Sequence, residues 1–169
     1  MPRRYAQGTS VNYHRSREQI GRLLEDWGAE GVQWTDEWKP VPRFTCKFLW
    51  KFEADDGAEH PLMARFTLTC DDALIRERSE DLRTGGLNQN KYEKNRKQWV
   101  NETHRLLLLL LKAMFNAIEA GLYSPEEMFA PFVEHNSGLT VGELFAKQIA
   151  KLPTQAMPKL LAGPSDETE

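Results

Sequence analysis

From Lys91 to Ala120 the chain runs thirty residues without a proline or a glycine. A helix of that length reaches about 45 Å, longer than a small domain is wide. Whatever the chain folds into must be organised around it. The first half is charged, with Lys91, Lys94, Arg96, Lys97 and Arg105. The second half carries Leu106 to Leu111, then Ala113, Met114 and Phe115. A membrane span needs about 20 predominantly apolar residues. Lys112 and Asn116 interrupt this run and His104 and Arg105 precede it, so it reads as a buried core helix. The simplest arrangement docks its second half across a sheet and lets its first half project along the surface. Gly121 ends it.

The sheet is written in an alternating pattern. Phe44, Cys46, Phe48, Trp50 and Phe52 interleave with Thr45, Lys47, Leu49 and Lys51. This period of two marks a half-buried strand. Asp55-Asp56-Gly57 is a turn signal, after which Leu62, Ala64, Phe66, Leu68 and Cys70 resume the alternation. Residues 43–53 and 61–70 are therefore expected to form an antiparallel hairpin, with 32–35 as a third strand. Cys46 and Cys70 fall on adjacent strands and would face each other in one register. The aromatic face is the only one apolar enough to receive Leu106–Leu111, so it reads as core rather than as a base-stacking surface.

Helices flank this unit. Ser16 and Gln19 have capping-box spacing, and Ile20, Leu23, Leu24 and Trp27 line one face. Gly28 follows where a left-handed cap belongs, so a helix is expected over 17–27. Residues 73–82 read as a short helix and 84–90, with Gly85-Gly86, as a flexible connection. Ser124-Pro125-Glu126-Glu127 opens another helix, which Pro131 ends early. Thr140 and Glu143 cap a last one, with Val141, Leu144, Phe145, Ile149 and Leu152 as its buried face. The expectation is one α+β domain over 1–152: an N-terminal helix, a small antiparallel sheet of two or three strands, a long central helix on it and two short C-terminal helices. Residues 153–169 read as a mobile tail.

The landmarks at both ends have a familiar order. Tyr5-Ala6-x-Gly8-Thr9-Ser10-Val11 precedes Ser16-Arg17-x-x-Ile20 and Gly28-Ala29. Later come Lys112-Ala113, Ile118-Glu119-Ala120-Gly121-Leu122, Glu126-Glu127-x-Phe129 and Thr140-Val141-Gly142-Glu143. In this the chain resembles a family of small uncharacterised proteins of bacteriophages, prophages and other bacterial mobile elements. Residues 30–100 match only in strand pattern. Glu134-His135-Asn136-Ser137-Gly138-Leu139 stands where relatives often carry a Leu-Pro-Asp-Gly-type turn. The resemblance implies a phage-type origin and no particular reaction.

The opening residues hold two arginines but no apolar stretch of an export signal, so the expected location is the cytoplasm of a bacterial host cell, with both cysteines as thiols. Charge is segregated rather than extreme: net −3 overall, with a basic segment 91–105 and acid excess over 53–90 and 121–169. Phosphate contacts from Lys91, Lys94, Arg96 and Lys97, with Trp99 stacking on bases, would make a nucleic-acid surface; the plainer reading is a solvated helix face. Trp34 and Trp38, placed in a loop beside Pro40 and Pro42, are candidates for a protein interface. A helix apolar on nearly all sides leaves room for a homo-oligomer.

Catalytic signals are thin. His14, His60, His104 and His135 show no ligand spacing to one another or to a cysteine, so no metal or other cofactor is expected. A magnesium-dependent nuclease would need clustered carboxylates, for which Asp71-Asp72, Glu53 with Asp55, and Glu37-Trp38-Lys39 are conceivable sources, although short acidic pairs at strand ends are usually turns and solubilising charges. No nucleophile elbow, phosphate loop or dinucleotide fingerprint occurs. The chain therefore reads as a non-enzymatic accessory protein that binds a protein or a nucleic acid, with a small metal-dependent nuclease-like enzyme as the alternative.

Overall fold

The structure is a computed structural model that describes residue 6 and residues 8–53, 59–81 and 85–150, with only the backbone of 52, 53, 59 and 60. The tail and the Asp55-Asp56-Gly57 turn lie outside the described residues.

Helix α1 spans Tyr13–Asp26 and begins four residues before the sequence pattern places it. Its cap is Asn12, whose Oδ1 accepts from the His14 N–H at 3.0 Å. Ser16 is instead inside the helix and buried, its Oγ without a hydrogen-bond partner. The helix ends as expected: Gly28 takes φ +81°, and the Ala29 N–H reaches back to Leu24 C=O at 2.9 Å, a closure that only an unbranched backbone takes without strain.

Three antiparallel strands follow in sequential order, β1 Gly31–Glu37, β2 Arg43–Glu53 and β3 Glu59–Thr69. Register explains the two faces. One set of rows, Trp34–Cys46–Phe66 and Val32–Phe48–Ala64, points inward. The other, Gln33–Lys47–Arg65 and Thr35–Thr45–Thr67, points out. Cys46 therefore sits beside Phe66, while Cys70 lies past the end of β3 with its N–H on Pro42 C=O at 2.9 Å. The two thiols do not face each other. Trp34 is inside β1, as the expected 32–35 strand has it, and not in the loop beside Pro40 and Pro42.

Helix α2 (Asp72–Ser79) leads into the long helix α3 (Gln89–Glu119). The expected flexible connection is, where described, a tight one: Glu80 bridges Leu87, the Asp81 N–H donates to Gly86 C=O at 2.9 Å, and Asn88 caps α3. The second half of α3 crosses the inner sheet face, burying Leu107, Leu108, Leu111, Met114 and Phe115 among Ile20, Leu24, Cys46, Phe48 and Phe129. Its first half does not project. Tyr92 and Val100 are buried, and Tyr92 packs with Cys70, Ile75, Val41 and Trp99 in a smaller cluster under α2.

Helix α4 (Pro125–Phe129), a 3-10 turn (Ala130–Phe132) and helix α5 (Val141–Ile149) complete the fold. Phe129 is fully buried, edge-on to Phe48 at 5.6 Å. The orientation of α5 overturns the expected burial. No residue of α5 is buried, and Phe145 is 61% exposed. The reason is Gly142: a Cβ there would stand 2.7 Å from Pro131 C=O, so this glycine turns toward the body of the protein. Glu143, paired with Arg65 at 2.6 Å, holds the same orientation, and Val141, Phe145 and Ile149 are left outside. Leu152 lies beyond the described residues.

Candidate functional site

The β1–β2 loop, Trp38 to Pro42, overhangs the first half of α3. Trp38 is 42% exposed, with one edge against Phe44 at 5.0 Å between centroids. Arg96 holds the loop: its Nη2 donates to Trp38 C=O at 2.6 Å, and its guanidinium lies 5.8 Å from the Trp38 ring centroid. Glu93 approaches the same guanidinium at 4.0 Å, one helical turn away. Between this loop, the start of α1 and α3 opens a cleft of about 510 Å³, lined by Tyr13, Trp38, Arg96, Lys97 and Asn101 among others. Asn101 anchors the α1 side by accepting the Tyr13 N–H at 2.9 Å.

The wall behind the cleft is braced by a buried polar cluster. His104 is fully buried. Its Nδ1 lies 2.8 Å from Val100 C=O and so carries the proton, which leaves Nε2 to accept from Arg17 Nε at 3.1 Å. Arg17 also clamps Asp36 with two bonds, of 3.0 and 2.6 Å. Its guanidinium lies 4.4 Å over the Trp34 ring and 5.1 Å from that of Tyr13. Burial pushes the His104 imidazole down to about 4, with the Arg17 charge acting in the same direction. A charged imidazole cannot accept from Arg17, so the cluster requires the neutral ring. With no surface exposed, His104 braces Tyr13 and β1 rather than meeting a ligand.

The sequence-derived candidates therefore separate. Lys94 and Lys97 are exposed, three residues apart on α3. The Lys91 Nζ donates to Glu80 C=O at 3.2 Å at the α2 junction. Arg96 is mostly buried and shapes the loop. Trp99 is half-buried against Phe44 and the smaller cluster. Trp34 is half-buried under Arg17, so of the two interface candidates Trp38 is the exposed one. The structure thus joins members of two separate candidate sets, Trp38 with Arg96 and Lys97, in one cleft. Tyr13 and Asn101 were missed. A readable signal existed for Asn101, because Glu93, Lys97 and Asn101 recur every four residues and share a helix face. None existed for Tyr13, whose partner is 88 residues away.

The acidic candidates have structural work. Asp71 caps α2, accepting from Leu74 N–H at 3.0 Å. Asp72 accepts from Arg76 at 2.6 Å and from the Tyr92 hydroxyl, which hold its carboxyl below the usual range and push the Tyr92 phenol up. Asp55 and the Glu53 side chain lie outside the described residues. Among the described residues no group of three His, Cys, Asp or Glu is placed to hold a metal ion. Burial raises Cys46 to about 12 and Cys70 to about 11, so neither is a ready nucleophile at neutral pH. A further concavity of about 610 Å³ lies on the outer sheet face. There Lys47 and Arg65 are neutralised by Glu134 and Glu143. Among the described residues no helix is long and apolar enough to cross a membrane.

No protein-family model matches the chain. No curated protein and no solved structure is significantly similar to it.

Proposed function

We propose that the protein is a non-enzymatic accessory protein of phage or mobile-element type, acting in the bacterial cytoplasm, and that its cleft binds single-stranded nucleic acid. One observation carries this reading: an exposed tryptophan and an exposed lysine from distant parts of the sequence converge on one open cleft. An exposed indole offers a stacking face to any base. Lys97, with Lys94 beside it on α3, supplies phosphate contacts that carry no sequence information. Arg96 is spent on the Trp38 carbonyl, so it positions the indole rather than the phosphate. Glu93 restricts the positive surface to the Lys94–Lys97 side. Duplex DNA would present no unstacked base to Trp38, which favours a single strand.

The test is a fluorescence titration with a short oligothymidylate at low salt. Trp38→Ala is expected to weaken binding about tenfold or more, since base–aromatic stacking contributes about 1–3 kcal/mol. The double change Lys94→Ala, Lys97→Ala is expected to weaken it further and flatten its salt dependence. No binding at low salt, or full binding by Trp38→Ala, would overturn the proposal.

A further inference from the structure

The two edges of the sheet are guarded differently. β1 ends in Asp36 and Glu37, charges that discourage another strand from pairing. On β3 the chain covers its own edge only in part. Val133 bridges Ala64, and the Glu134 N–H donates to Met63 C=O at 2.9 Å. The 3-10 turn Ala130–Phe132 then carries the backbone away from the ladder, so among the described residues the edge beyond Arg65 has no neighbouring strand.

Alternation fixes which groups are left there. Met63 C=O faces outward to Glu134, and the Cys70 N–H faces the other way, to Pro42. Backbone groups of successive strand residues point to opposite sides. Arg65 C=O, both groups of Thr67 and the Thr69 N–H therefore point outward. Those of Arg65 and Thr67 open on a groove of about 680 Å³ whose walls include Phe66, Leu68, Leu106, Leu110, Phe132 and Ala146. Leu106 and Leu110 are 37% and 45% exposed, although they belong to the leucine run at the heart of the fold.

We infer that this groove is a docking site for an extended peptide segment of a partner protein, which adds to β3 as a fourth strand. An open strand edge calls for a backbone, not for a compact apolar molecule. Val133–Glu134 already occupies this edge at strand spacing, and the incoming segment continues that line past Arg65. From Arg65 to Thr69 the edge spans about 13 Å, which matches about five residues. The α3 side of the groove is apolar, with Leu106 and Leu110. The other side carries Thr67, Thr69 and the Arg65–Glu143 pair. The segment is therefore apolar at alternate positions, which meet Leu106 and Leu110, and small or polar between them. This site is separate from the Trp38 cleft and does not depend on it.

The probe is the capped peptide Thr-Val-Thr-Val-Thr, added to the full chain while amide exchange is followed residue by residue. Exchange at Thr67 and Thr69 is expected to slow about tenfold or more at saturation. Leu110→Glu, at an exposed position, is expected to weaken binding about tenfold without changing the fold's thermal midpoint. The same peptide N-methylated at alternate residues, on the face that pairs, is expected not to bind. Unchanged exchange at Thr67, equal binding by the N-methylated peptide, or equal binding by Leu110→Glu would each overturn the inference. Protection of Thr67 that rises with protein concentration in the absence of peptide would also overturn it, because the occupant would then be a second copy.

Discussion

His104 shows how far a single residue's role depends on its neighbours. In the sequence it is a lone histidine ahead of six leucines; in the fold it is a neutral acceptor for Arg17, whose other nitrogens hold Asp36. Burial opposes its charge most, the Val100 carbonyl and Asp36 favour it, and Arg17 and His14 act on the side of burial, which prevails. Its folded pKa of about 4 lies below the ordinary 6.5. Between those values the unfolded chain takes up a proton that the folded chain refuses. Its contribution is thus fully present above about pH 6.5 and is lost as pH falls toward 4. At 1.36 kcal/mol per pH unit the loss amounts to about 3 kcal/mol. Urea unfolding at pH 7 and at pH 4.5 should show that decline in the native chain. His104→Gln keeps an acceptor but does not titrate, so its decline should be smaller by most of that amount. Equal pH dependence in the two proteins would show that His104 is not neutral in the fold.

At the scale of elements, the leucine run separates packing from display. Leu108 is fully buried, whereas Leu110, two residues on, is 45% exposed. Thermal unfolding should find Leu108→Ala destabilising by about 3 kcal/mol, the transfer and cavity costs of a core leucine. Leu110→Ala should fall within about 0.5 kcal/mol of the native chain. Comparable losses would mean that the groove is closed. The elements themselves were legible because their signals are local: alternation set β2 and β3, and Ser124-Pro125 and Thr140–Glu143 set the starts of α4 and α5. Orientation was not. Whether Phe145 faces in or out depends on Gly142 meeting Pro131, a contact between backbones that leaves no hydrophobic signature. The start of α1 was misplaced for a related reason, since Asn12 and Ser16 both have cap chemistry and burial of Ser16 decides between them. Part of the cleft was legible, because exposed lysines and a tryptophan beside prolines are visible in one dimension. That they share a cleft depends on Arg96 reaching Trp38 across 58 residues.

At the scale of the whole molecule, charge limits how any polyanion can be held. The chain is net −3, so no general field draws nucleic acid in. The acidic excess of 53–90 and 121–169 lies outside the segment that carries Lys94 and Lys97. Binding through the cleft must therefore rest on a few contacts and on stacking. Each phosphate neutralised on a single strand contributes a slope of about −0.7 to the dependence of log affinity on log salt. Two lysines predict a slope of about −1.4, or a loss of about 25-fold for a tenfold rise in salt. Stacking on Trp38 is not ionic, so Trp38→Ala should lower affinity at every salt concentration and leave the slope unchanged. A titration series over that range separates the two terms. A slope steeper than about −3 would require four or more phosphate contacts. Among the described residues the walls of the Trp38 cleft do not offer that many exposed cations, and the binding surface would then have to extend beyond it.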